Sequence, residues 1–596
     1  MIQKIIISLL TLNVTLSAFA YQKSDGVKPE NFVIENKNIN EPYLSGLKKL
    51  RQKELPVTAN NWMVVTANPQ ASKAAAKILD QGGTAVDAMV AAQIVLGLVE
   101  PESSGLGGGA FLLYYDNNKK TLTSLDGRET APSKVTASMF LDDKGNPISF
   151  MDAVVGGRSV GVPGTPALLE DAYTRWGKIS WPLLFEEGIR LADYGFIVSQ
   201  KLSSSVKKQL SSIKKVARTK DYFIPNNLPI KSGQMLSNAA YAETIRKFSK
   251  YGAEIFYSGE IADDIIATVQ GHNQNPGVLS KNDLSSYKVK EREPVCAFYR
   301  DHKVCGMGPP SSGALTISQI LGMIENFDLS ELGRNNPESW RIIGDASRLA
   351  FADRSLYMAD SDFVSVPIEG LLDKKYIKNR AKQLERKMSI PVINPGRPNT
   401  KSSLTYSQDI SIEFPSTSHI SIVDTYGNAL SMTTTIESAF GSRLMTKSGF
   451  LLNNELTDFS FVSHSDGKVI ANRIEPGKRP RSSMSPTIIF QKNKPIYIIG
   501  SPGGSNIIGY VLSAIIALID WDMNVRQAVS APHAINKFGT YNLEKNTTMI
   551  NIKKPLEKMG YKVELSKFFS GLNIIKIKGN ISGASDPRRE GVAIGG

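Results

Sequence analysis

The spacing of hydrophobic and polar residues changes along the chain and predicts where helices and strands lie. Apolar residues three or four apart are typical of amphipathic helices, whereas strict alternation is typical of half-buried strands. The first pattern predicts helices over residues 69–81, 84–99, 181–194, 337–357, 507–518 and 525–531. The strand patterns predict strands over residues 110–115, 418–424, 429–436, 487–491 and 495–500. Helices and strands in separate blocks favour a layered structure over an alternating Rossmann sheet.

Local signals mark the ends of several elements. Gly82 and Gly83 are expected to end the first helix, and Thr84 before an acidic first turn predicts the N-cap of the second. Residues 425–428, TYGN, predict the turn of a hairpin. Residues 391–416 combine four prolines with Asn, Ser and Thr, which predicts a long exposed irregular segment open to proteolysis or self-cleavage.

Composition narrows the possible function classes. The chain has 596 residues, 41% hydrophobic and 21% charged, so a large packed core is possible and wholesale disorder is excluded. At roughly 100–200 residues per domain, this length predicts three or four ordinary domains or one large two-layer unit. The net charge is +14, but the basic residues form no long run interleaved with aromatic residues, which disfavours nucleic acid binding.

Common metal and phosphate sites have no recognisable pattern in this chain. Two cysteines and five histidines are too few and too scattered for a Cys/His zinc site, and no CxxC, HExxH or GxxxxGK(S/T) pattern occurs. The glycines within 105–109 precede a strand pattern instead of following one and opening a helix, which disfavours a nucleotide-binding loop. We therefore expect no metal and no cofactor.

The first residues predict export. Lys4 is followed by an apolar run over residues 5–16 and then by SAFA at 17–20, so we expect a signal peptide cut after Ala20. An uncleaved membrane anchor is the alternative, but the run is shorter than the ~20 residues that span a bilayer. No cysteine follows the cut, which disfavours a lipoprotein. The predicted location is the bacterial periplasm, or the medium if the protein is secreted.

The two cysteines lie at equal distances from the pair Arg300-Asp301. A two-residue hairpin turn at that pair would place Cys296 and Cys305 opposite each other, about 4.5–5.5 Å apart and within reach of a disulfide. An exported protein meets an oxidising environment. We therefore favour a structural disulfide, with two free thiols on a hairpin as the alternative.

Thr417 stands where the irregular segment meets a predicted strand. Alone this says little, because hydroxyl residues are common at strand starts. Eight blocks of the sequence, in the expected order, resemble the γ-glutamyltranspeptidase family. These blocks are GLGGGAF at 105–111, DGRETAP at 126–132, PPSSG at 309–313, STSHISIVD at 416–424, LLNNELTDF at 451–459, RSSMSPT at 481–487, GSPGGS at 500–505 and GASDPR at 583–588.

The resemblance implies a fold and a processing event. The fold is α+β, a four-layer αββα sandwich of the N-terminal-nucleophile hydrolase type, formed by a precursor that cuts itself between Ser416 and Thr417. The implied organisation is a signal peptide at 1–20, a polar leader at 21–60, a large subunit at 61–416 and a small catalytic subunit at 417–596. The two subunits form one composite domain and remain together as a heterodimer.

Simple acid–base chemistry agrees with a cut before Thr417. A threonine hydroxyl is a poor nucleophile unless a base takes its proton. An internal Thr has no amine, whereas a chain-terminal Thr carries one with a pKa of ~7.7–8.0, suitable for a base near neutral pH. Cleavage would therefore create the nucleophile and its base together. His419, two positions on, is the alternative base.

The resemblance also implies roles for other residues. It implies that the Thr435 hydroxyl hydrogen-bonds the nucleophile. It also implies that the backbone N–H groups of Gly503 and Gly504 form an oxyanion hole. Binding of the substrate α-carboxylate is implied at Arg128, Ser482 and Ser483. Binding of its α-ammonium is implied at Glu455 and Asp458. The plainer alternatives are that Gly503 and Gly504 form a tight turn and that Arg128 belongs to an ion pair on the surface.

Two features depart from the family pattern. Glu437 stands where characterised transpeptidases usually have Asn, so it could strengthen the hold on an ammonium or mark a shifted substrate preference. Residues 461–478, which resemble the lid region, are shorter than in some members and contain no Tyr. Both features concern the substrate and not the nucleophile.

The implied activity is that of a γ-glutamyltransferase and glutathione hydrolase. The γ-glutamyl group of glutathione or a related amide would pass to Thr417 and then to water, an amino acid or a short peptide. One alternative is a glutaryl acylase of the cephalosporin type, whose donor lacks the α-ammonium. Another is an unprocessed exported binding protein that uses its basic surface.

Overall fold

The computed structural model describes residues 55–399, 406–409, 411, 413–414 and 416–596. The expected signal peptide at 1–20 lies outside these residues. The expected polar leader at 21–60 is described only from Leu55 onward, and its end already belongs to the fold, because the strand Val57–Ala59 pairs with a strand near the C-terminus.

The described strands, numbered along the chain, are β1 Val57–Ala59, β2 Met63–Thr66, β3 Gly109–Asp116, β4 Thr121–Gly127, β5 Phe196–Ile197, β6 Met235–Leu236, β7 Lys290–Arg292, β8 Val295–Tyr299, β9 His302–Gly306, β10 Tyr406–Ser407, β11 Ser418–Val423, β12 Ala429–Thr435, β13 His464–Ser465, β14 Lys468–Ile470, β15 Thr487–Gln491, β16 Lys494–Gly500, β17 Ala534–Asn536, β18 Thr540–Glu544, β19 Lys562–Ser566, β20 Asn573–Lys576, β21 Ile581–Ser585 and β22 Val592–Gly595.

The described α-helices are α1 Pro69–Asp80, α2 Ala85–Val99, α3 Phe150–Val154, α4 Thr165–Trp176, α5 Glu186–Tyr194, α6 Gln200–Lys208, α7 Leu210–Ile213, α8 Ala217–Phe223, α9 Ala239–Tyr251, α10 Gly259–Gln270, α11 Lys281–Ser285, α12 Gly313–Ile324, α13 Leu329–Leu332, α14 Pro337–Tyr357, α15 Ile368–Leu372, α16 Lys374–Ala381, α17 Asn506–Ile519, α18 Val525–Ser530 and α19 Lys553–Lys558. Among the residues that the structure describes, no helix is both long and apolar enough to cross a membrane.

Two large antiparallel sheets organise the α+β fold. One has the order β1-β21-β20-β16-β15-β9-β8, and the other has the order β22-β2-β11-β12-β3-β4-β7. Their central strands face each other, and the Ser431 hydroxyl on β12 donates to the carbonyl of Ile499 on β16 at 3.1 Å. Helices α1 and α2 contact the second sheet, whereas α12 and α17 contact the first. Every residue of β11 and β12 is buried, as expected for strands covered on both faces.

The parts of the chain before and after residue 417 are interleaved in the second sheet. Strand β11 lies between β2 and β12, and β12 pairs in turn with β3. Hydrogen-bonded ladders and a shared core therefore join the two parts. A cut at the Ser416–Thr417 bond would leave both pieces in one packed unit.

The structure confirms most of the predicted elements. The region expected as one helix over 181–194 begins instead as a 3₁₀ turn, Trp181–Phe185, before α5. The disulfide is confirmed, because Cys296 and Cys305 are paired across β8 and β9 and are bonded. The two-residue turn between these strands places Arg300 at φ +54°.

The prediction that residues 391–416 are exposed is wrong at the end of the segment. The Glu413 side chain is 5% exposed and Ser416 is 4% exposed. Strand β10 pairs with β14, so the segment before the cut runs beside the lid-like residues 461–478. The physical reason is that Glu413 forms an ion pair with Arg354 and the Ser416 hydroxyl donates to the carbonyl of Glu102, both distant along the chain.

Candidate active site

Thr417 lies immediately before β11 in a strained backbone conformation. Its φ is +96°, a region that β-branched residues rarely adopt, and such conformations cost of order 1–3 kcal/mol. Its carbonyl oxygen accepts a hydrogen bond from Arg589 Nη1 at 3.1 Å, and the residue is 4% exposed. The strain is thus located at the residue whose bond to Ser416 is expected to break.

The hydroxyl of Thr417 is held by a second threonine. The Oγ1 atoms of Thr417 and Thr435 are 3.0 Å apart. The backbone N–H of Glu437 donates to Thr435 Oγ1 at 2.9 Å, and either hydroxyl of the threonine pair can donate to the other. Residue 435 ends β12 opposite the start of β11, so strand pairing places the two hydroxyls together.

The carbonyl oxygen of Ser416, in the peptide bond expected to break, already accepts a hydrogen bond. The N–H of Gly503 donates to the carbonyl oxygen of Ser416 at 3.2 Å. Gly503 has φ +139° and Gly504 has φ +57°, conformations that favour glycine in this loop before α17. A Cβ at Gly504 would lie 2.6 Å from the carbonyl oxygen of Phe414, so the loop packs closely on the segment before the cut.

The structure brings the predicted site residues together around one cavity. The predicted residues that line it are Arg128, Thr417, Thr435, Glu437, Glu455, Asp458, Ser482, Ser483 and Gly504. Gly503 is absent from the lining and reaches the site through its N–H group. The lining residues that sequence analysis missed are Glu413, Phe414, Met484 and Ile507.

Arg128 forms a buried ion-pair cluster in this cavity. Its Nη2 donates to Asp458 Oδ2 at 2.6 Å, and its Nη1 donates to Glu455 Oε1. The guanidinium also donates to the carbonyls of Pro480 and Arg481. The alternative of a surface ion pair is wrong, because Arg128 is 1% exposed. In the uncut chain, the charge of Arg128 is thus paired with Glu455 and Asp458, the two acids expected to bind the α-ammonium of the substrate.

Carboxyl groups outnumber the guanidinium in this part of the pocket. Burial raises the pKa of Glu455 and of Asp458 well above the ordinary range, although Arg128 opposes the rise. Burial and then the neighbouring Asp458 raise the pKa of Glu437 to about 8. Glu455 Oε2 and Asp458 Oδ1 receive no hydrogen bond from any described residue. A small cation with N–H donors would satisfy both oxygens.

The ring nitrogens of His419 hydrogen-bond residues other than Thr417. Its Nδ1 lies 2.8 Å from the Thr433 hydroxyl and its Nε2 lies 3.1 Å from the Ser421 hydroxyl. Burial lowers its pKa to about 3, so the ring is neutral at physiological pH. It faces the space between the sheets, where a Cβ at Gly500 would meet the ring. The structure gives no support to His419 as the base.

Sequence analysis missed two arginines, Arg354 and Arg481, near the pair Ser482 and Ser483. Arg354 Nη2 donates to Ser483 Oγ at 2.8 Å, and Arg354 also pairs with Glu413. Arg481 pairs with Asp409 at 2.9 Å. Arg354 is a charged residue on the buried face of α14, which was the available signal, but only the fold shows which site it faces.

Comparison with known proteins adds to this geometry. A sequence model of the family described as Gamma-glutamyltranspeptidase matches residues 71–596. The chain belongs to this family. Glutathione hydrolase proenzyme from Bacillus subtilis (strain 168) is 36% identical over 547 residues, which cover 89% of this chain and 91% of that protein. The acylase ACY 1 proenzyme from Pseudomonas sp. (strain V22) is 31% identical over 554 residues, with coverages of 91% and 95%.

The overall shape agrees with this family assignment. The crystal structure of a cephalosporin acylase from Bacillus halodurans superposes with a TM-score of 0.81 and covers 95% of this chain and 99% of that one. The sequence identity in this comparison is 24%, so it supports the fold and not the substrate.

Proposed function

We propose that this chain is a self-processing γ-glutamyltransferase and glutathione hydrolase. It cuts itself between Ser416 and Thr417 and then transfers the γ-glutamyl group of glutathione or a related amide to water, an amino acid or a short peptide. One arrangement carries this proposal: the Ser416 carbonyl already accepts a hydrogen bond from Gly503, while the Thr417 hydroxyl is held by Thr435 beside a cavity lined with acids.

The cut follows from the contacts around the bond. Thr417 Oγ1 attacks the carbonyl carbon of Ser416, and the oxygen that gains charge remains on the Gly503 N–H; such a donor is worth ~10²–10³ in rate in other enzymes. The C–N bond breaks, the nitrogen takes the hydroxyl proton, and an ester remains. Water hydrolyses the ester, which leaves a carboxylate on Ser416 and a free hydroxyl and amine on Thr417. The strain at φ +96° disappears with the peptide bond.

Turnover reuses the same groups with one addition. The new amine of Thr417 takes the hydroxyl proton as Oγ1 attacks the γ-carbonyl of the donor, and this proton leaves with the departing amine, which is Cys-Gly for glutathione. The acyl group then passes from Thr417 to water or to an acceptor amine, and the hydroxyl is restored. Thr435 orients the nucleophile, and Gly503 and Gly504 form the oxyanion hole.

The charges of the pocket favour a γ-glutamyl donor over a glutaryl donor. Glu455 Oε2 and Asp458 Oδ1 each lack a hydrogen-bond donor among the described residues, and an α-ammonium would supply one. Glu437, also in the lining, adds a third carboxyl. A glutaryl group has no ammonium and would leave these two buried oxygens without a hydrogen-bond donor, at a cost of about 1–3 kcal/mol for each unsatisfied group. Similarity to acylases keeps the glutaryl donor as the second candidate.

The remaining parts of the proposal concern architecture and location. The two facing sheets with helices on each support a four-layer αββα sandwich of the N-terminal-nucleophile hydrolase type. The interleaved sheet supports a heterodimer of a large subunit at 61–416 and a small subunit at 417–596. The apolar run and SAFA pattern before Tyr21 support a signal peptide at 1–20, a polar leader behind it and export to a bacterial periplasm.

Mass spectrometry and donor kinetics test the proposal. The purified wild type should contain two subunits, the smaller one beginning at Thr417, whereas Thr417→Ala should remain one chain. The cut protein should release product from a γ-glutamyl anilide at least tenfold faster than from a glutaryl anilide. A cut protein that is inactive on the first donor would contradict the activity. The reverse preference would establish the acylase.

A further inference from the structure

Arg589, near the C-terminus, directs a buried positive charge at the residue expected to become the nucleophile. The arginine is 7% exposed, and its Nη1 donates to the carbonyl oxygen of Thr417 at 3.1 Å. Its Nε donates to the carbonyl of Phe569 at 3.2 Å. It forms no ion pair within 4.0 Å in the part of the chain that the structure describes. Buried arginines are usually paired with acids, so the position of this guanidinium on the Thr417 carbonyl calls for an explanation.

Two buried acids lie behind the next residue of the chain. The Ser418 hydroxyl donates to Glu100 Oε2 at 2.9 Å. Lys201 Nζ lies 3.1 Å from one carboxylate oxygen of Glu100 and 3.1 Å from one of Glu102. Burial lowers the pKa of Arg589, and both acids oppose the fall, so they lie near enough to stabilise its charge. The hydroxyl of Ser418 is thus held by a carboxylate whose own charge is balanced by cations.

Two sets of contacts restrain the residues around the bond expected to break. On one side, the carbonyl oxygen of Ser416 accepts from the N–H of Gly503, and the Ser416 hydroxyl donates to the carbonyl of Glu102. After cleavage these contacts would no longer restrain the nucleophile, because Ser416 would end the other subunit. On the other side, the Thr417 carbonyl and the Ser418 hydroxyl take no part in the cleavage, so their contacts would remain.

The start of the cut subunit needs such contacts. The first residues of a chain are poorly ordered unless they are tied down, and strand β11 begins only at Ser418. The contact with Thr435 restrains the Thr417 hydroxyl but not the backbone that carries it. A displacement of about 1 Å at a reacting group can reduce the rate ~100-fold. The hydrogen bond from Arg589 therefore fixes the backbone from which the hydroxyl is aimed.

We propose that Arg589 and Glu100 are positioning residues that anchor the first two residues of the cut subunit. The inference rests on the proposed function and deepens it. Arg589 holds the carbonyl of the nucleophilic residue, and Glu100, balanced by Lys201, holds the hydroxyl that follows. Both anchors act mainly on turnover, because cleavage takes place while Thr417 is still attached to Ser416.

Separate rates of cleavage and turnover test the role of Arg589. Self-cleavage is followed on a gel after cell-free synthesis, and turnover is measured on γ-glutamyl 4-nitroanilide with fully cut protein. In Arg589→Gln, kcat should fall roughly 10- to 100-fold, as expected for loss of a hydrogen bond from a charged group, while KM and the cleavage rate change less than about threefold. Arg589→Lys, which keeps the charge, should recover at least about threefold of the lost kcat. Arg218→Gln, which loses a 2.8 Å bond from an arginine to the carbonyl of Met445, is the matched control and should keep kcat.

The outcomes separate the inference from the proposed function. A kcat within threefold of wild type in Arg589→Gln would overturn the role of Arg589. Cleavage slowed as much as turnover, or a loss expressed in KM, would also overturn it, because either result would indicate a general effect on the fold or on the pocket. Wild type that is cut but inactive on γ-glutamyl 4-nitroanilide would instead overturn the proposed function.

Ser418→Ala tests the second anchor without removing a charge, and it does not depend on how Arg589 variants fold. The substitution deletes the hydroxyl on Glu100 but leaves Lys201 beside both acids. We expect kcat to fall about tenfold, with KM and the cleavage rate unchanged. The control is Ser421→Ala, whose hydroxyl donates to the carbonyl of Asn573 on the same strand's other partner, and it should keep kcat within threefold. A normal kcat in Ser418→Ala would refute the anchoring by Glu100.

Discussion

Replacing Glu437 by Gln in the uncut chain should make stability less sensitive to pH. The carboxyl of Glu437 is buried and accepts hydrogen bonds from the N–H of Phe414 at 3.3 Å and from the amide of Asn454. Burial and the nearby Asp458 raise its pKa from an ordinary 4.5 to about 8. Gln has nearly the same shape and cannot ionise, so the substitution isolates the charge. Thr417→Ala is the background, because it keeps the chain uncut.

The sign follows from proton binding. Between pH 4.5 and pH 8 the folded chain binds a proton at Glu437 that the unfolded chain has released, so stability falls as pH rises through this range. At about 1.4 kcal/mol per pKa unit, the full loss is about 5 kcal/mol, of which about 4 kcal/mol falls between pH 5 and pH 8.5. Glu437→Gln lacks this loss. Its stability relative to the parent should therefore rise by about 4 kcal/mol over the same interval.

Urea unfolding at pH 5 and pH 8.5 measures this difference, provided that the unfolding free energies of parent and variant depend on urea concentration with the same slope. Glu385→Gln, at an exposed carboxyl, is the control and should leave the pH dependence unchanged. If the difference in unfolding free energy between Glu437→Gln and its parent is the same at both pH values, the reasoning is refuted. Such a result would mean that Glu437 ionises in the folded chain without cost.

Two further substitutions test other parts of the structure. Gly504→Ala would place a Cβ 2.6 Å from the Phe414 carbonyl oxygen, so self-cleavage on a gel should slow at least tenfold; Gly579→Ala, also at positive φ but with open space, should be cut at the normal rate. Replacing Cys296 and Cys305 by Ser removes a cross-link between residues nine apart, which should lower stability by about 2–3 kcal/mol and leave donor turnover intact. An unchanged melting temperature without reductant would contradict the second prediction.

Local patterns were enough to predict most regular elements. Thr84 receives the N–H of Asp87 and caps α2, and the TYGN turn joins β11 to β12. The disulfide could also be predicted, because a two-residue turn places residues equidistant from it opposite each other. These features depend on neighbours in the chain, and the sequence contains them directly.

The electrostatic arrangement of the site could not be predicted in the same way. Motif matching found Arg128, Glu455 and Asp458 but assigned them to different ends of the substrate, whereas the fold pairs them with one another. Glu413 and Arg354 are 59 residues apart, and their contact depends on α14 and the segment before the cut meeting at one cavity. Such a pairing is a property of the packed chain, and no local pattern shows it.

The uncut structure also explains why one cavity can serve two reactions. Before the proposed cleavage, Thr417, its partner Thr435 and the Gly503 N–H already surround the Ser416 carbonyl, so the peptide bond proposed to break lies where the proposed machinery acts. The nitrogen of Thr417 is then an amide, which is not a base. In the proposed mechanism, breaking the bond would convert that nitrogen into an amine with a suitable pKa. Repeated turnover would therefore become possible only after self-cleavage, and the order of the two proposed reactions would follow from a single bond.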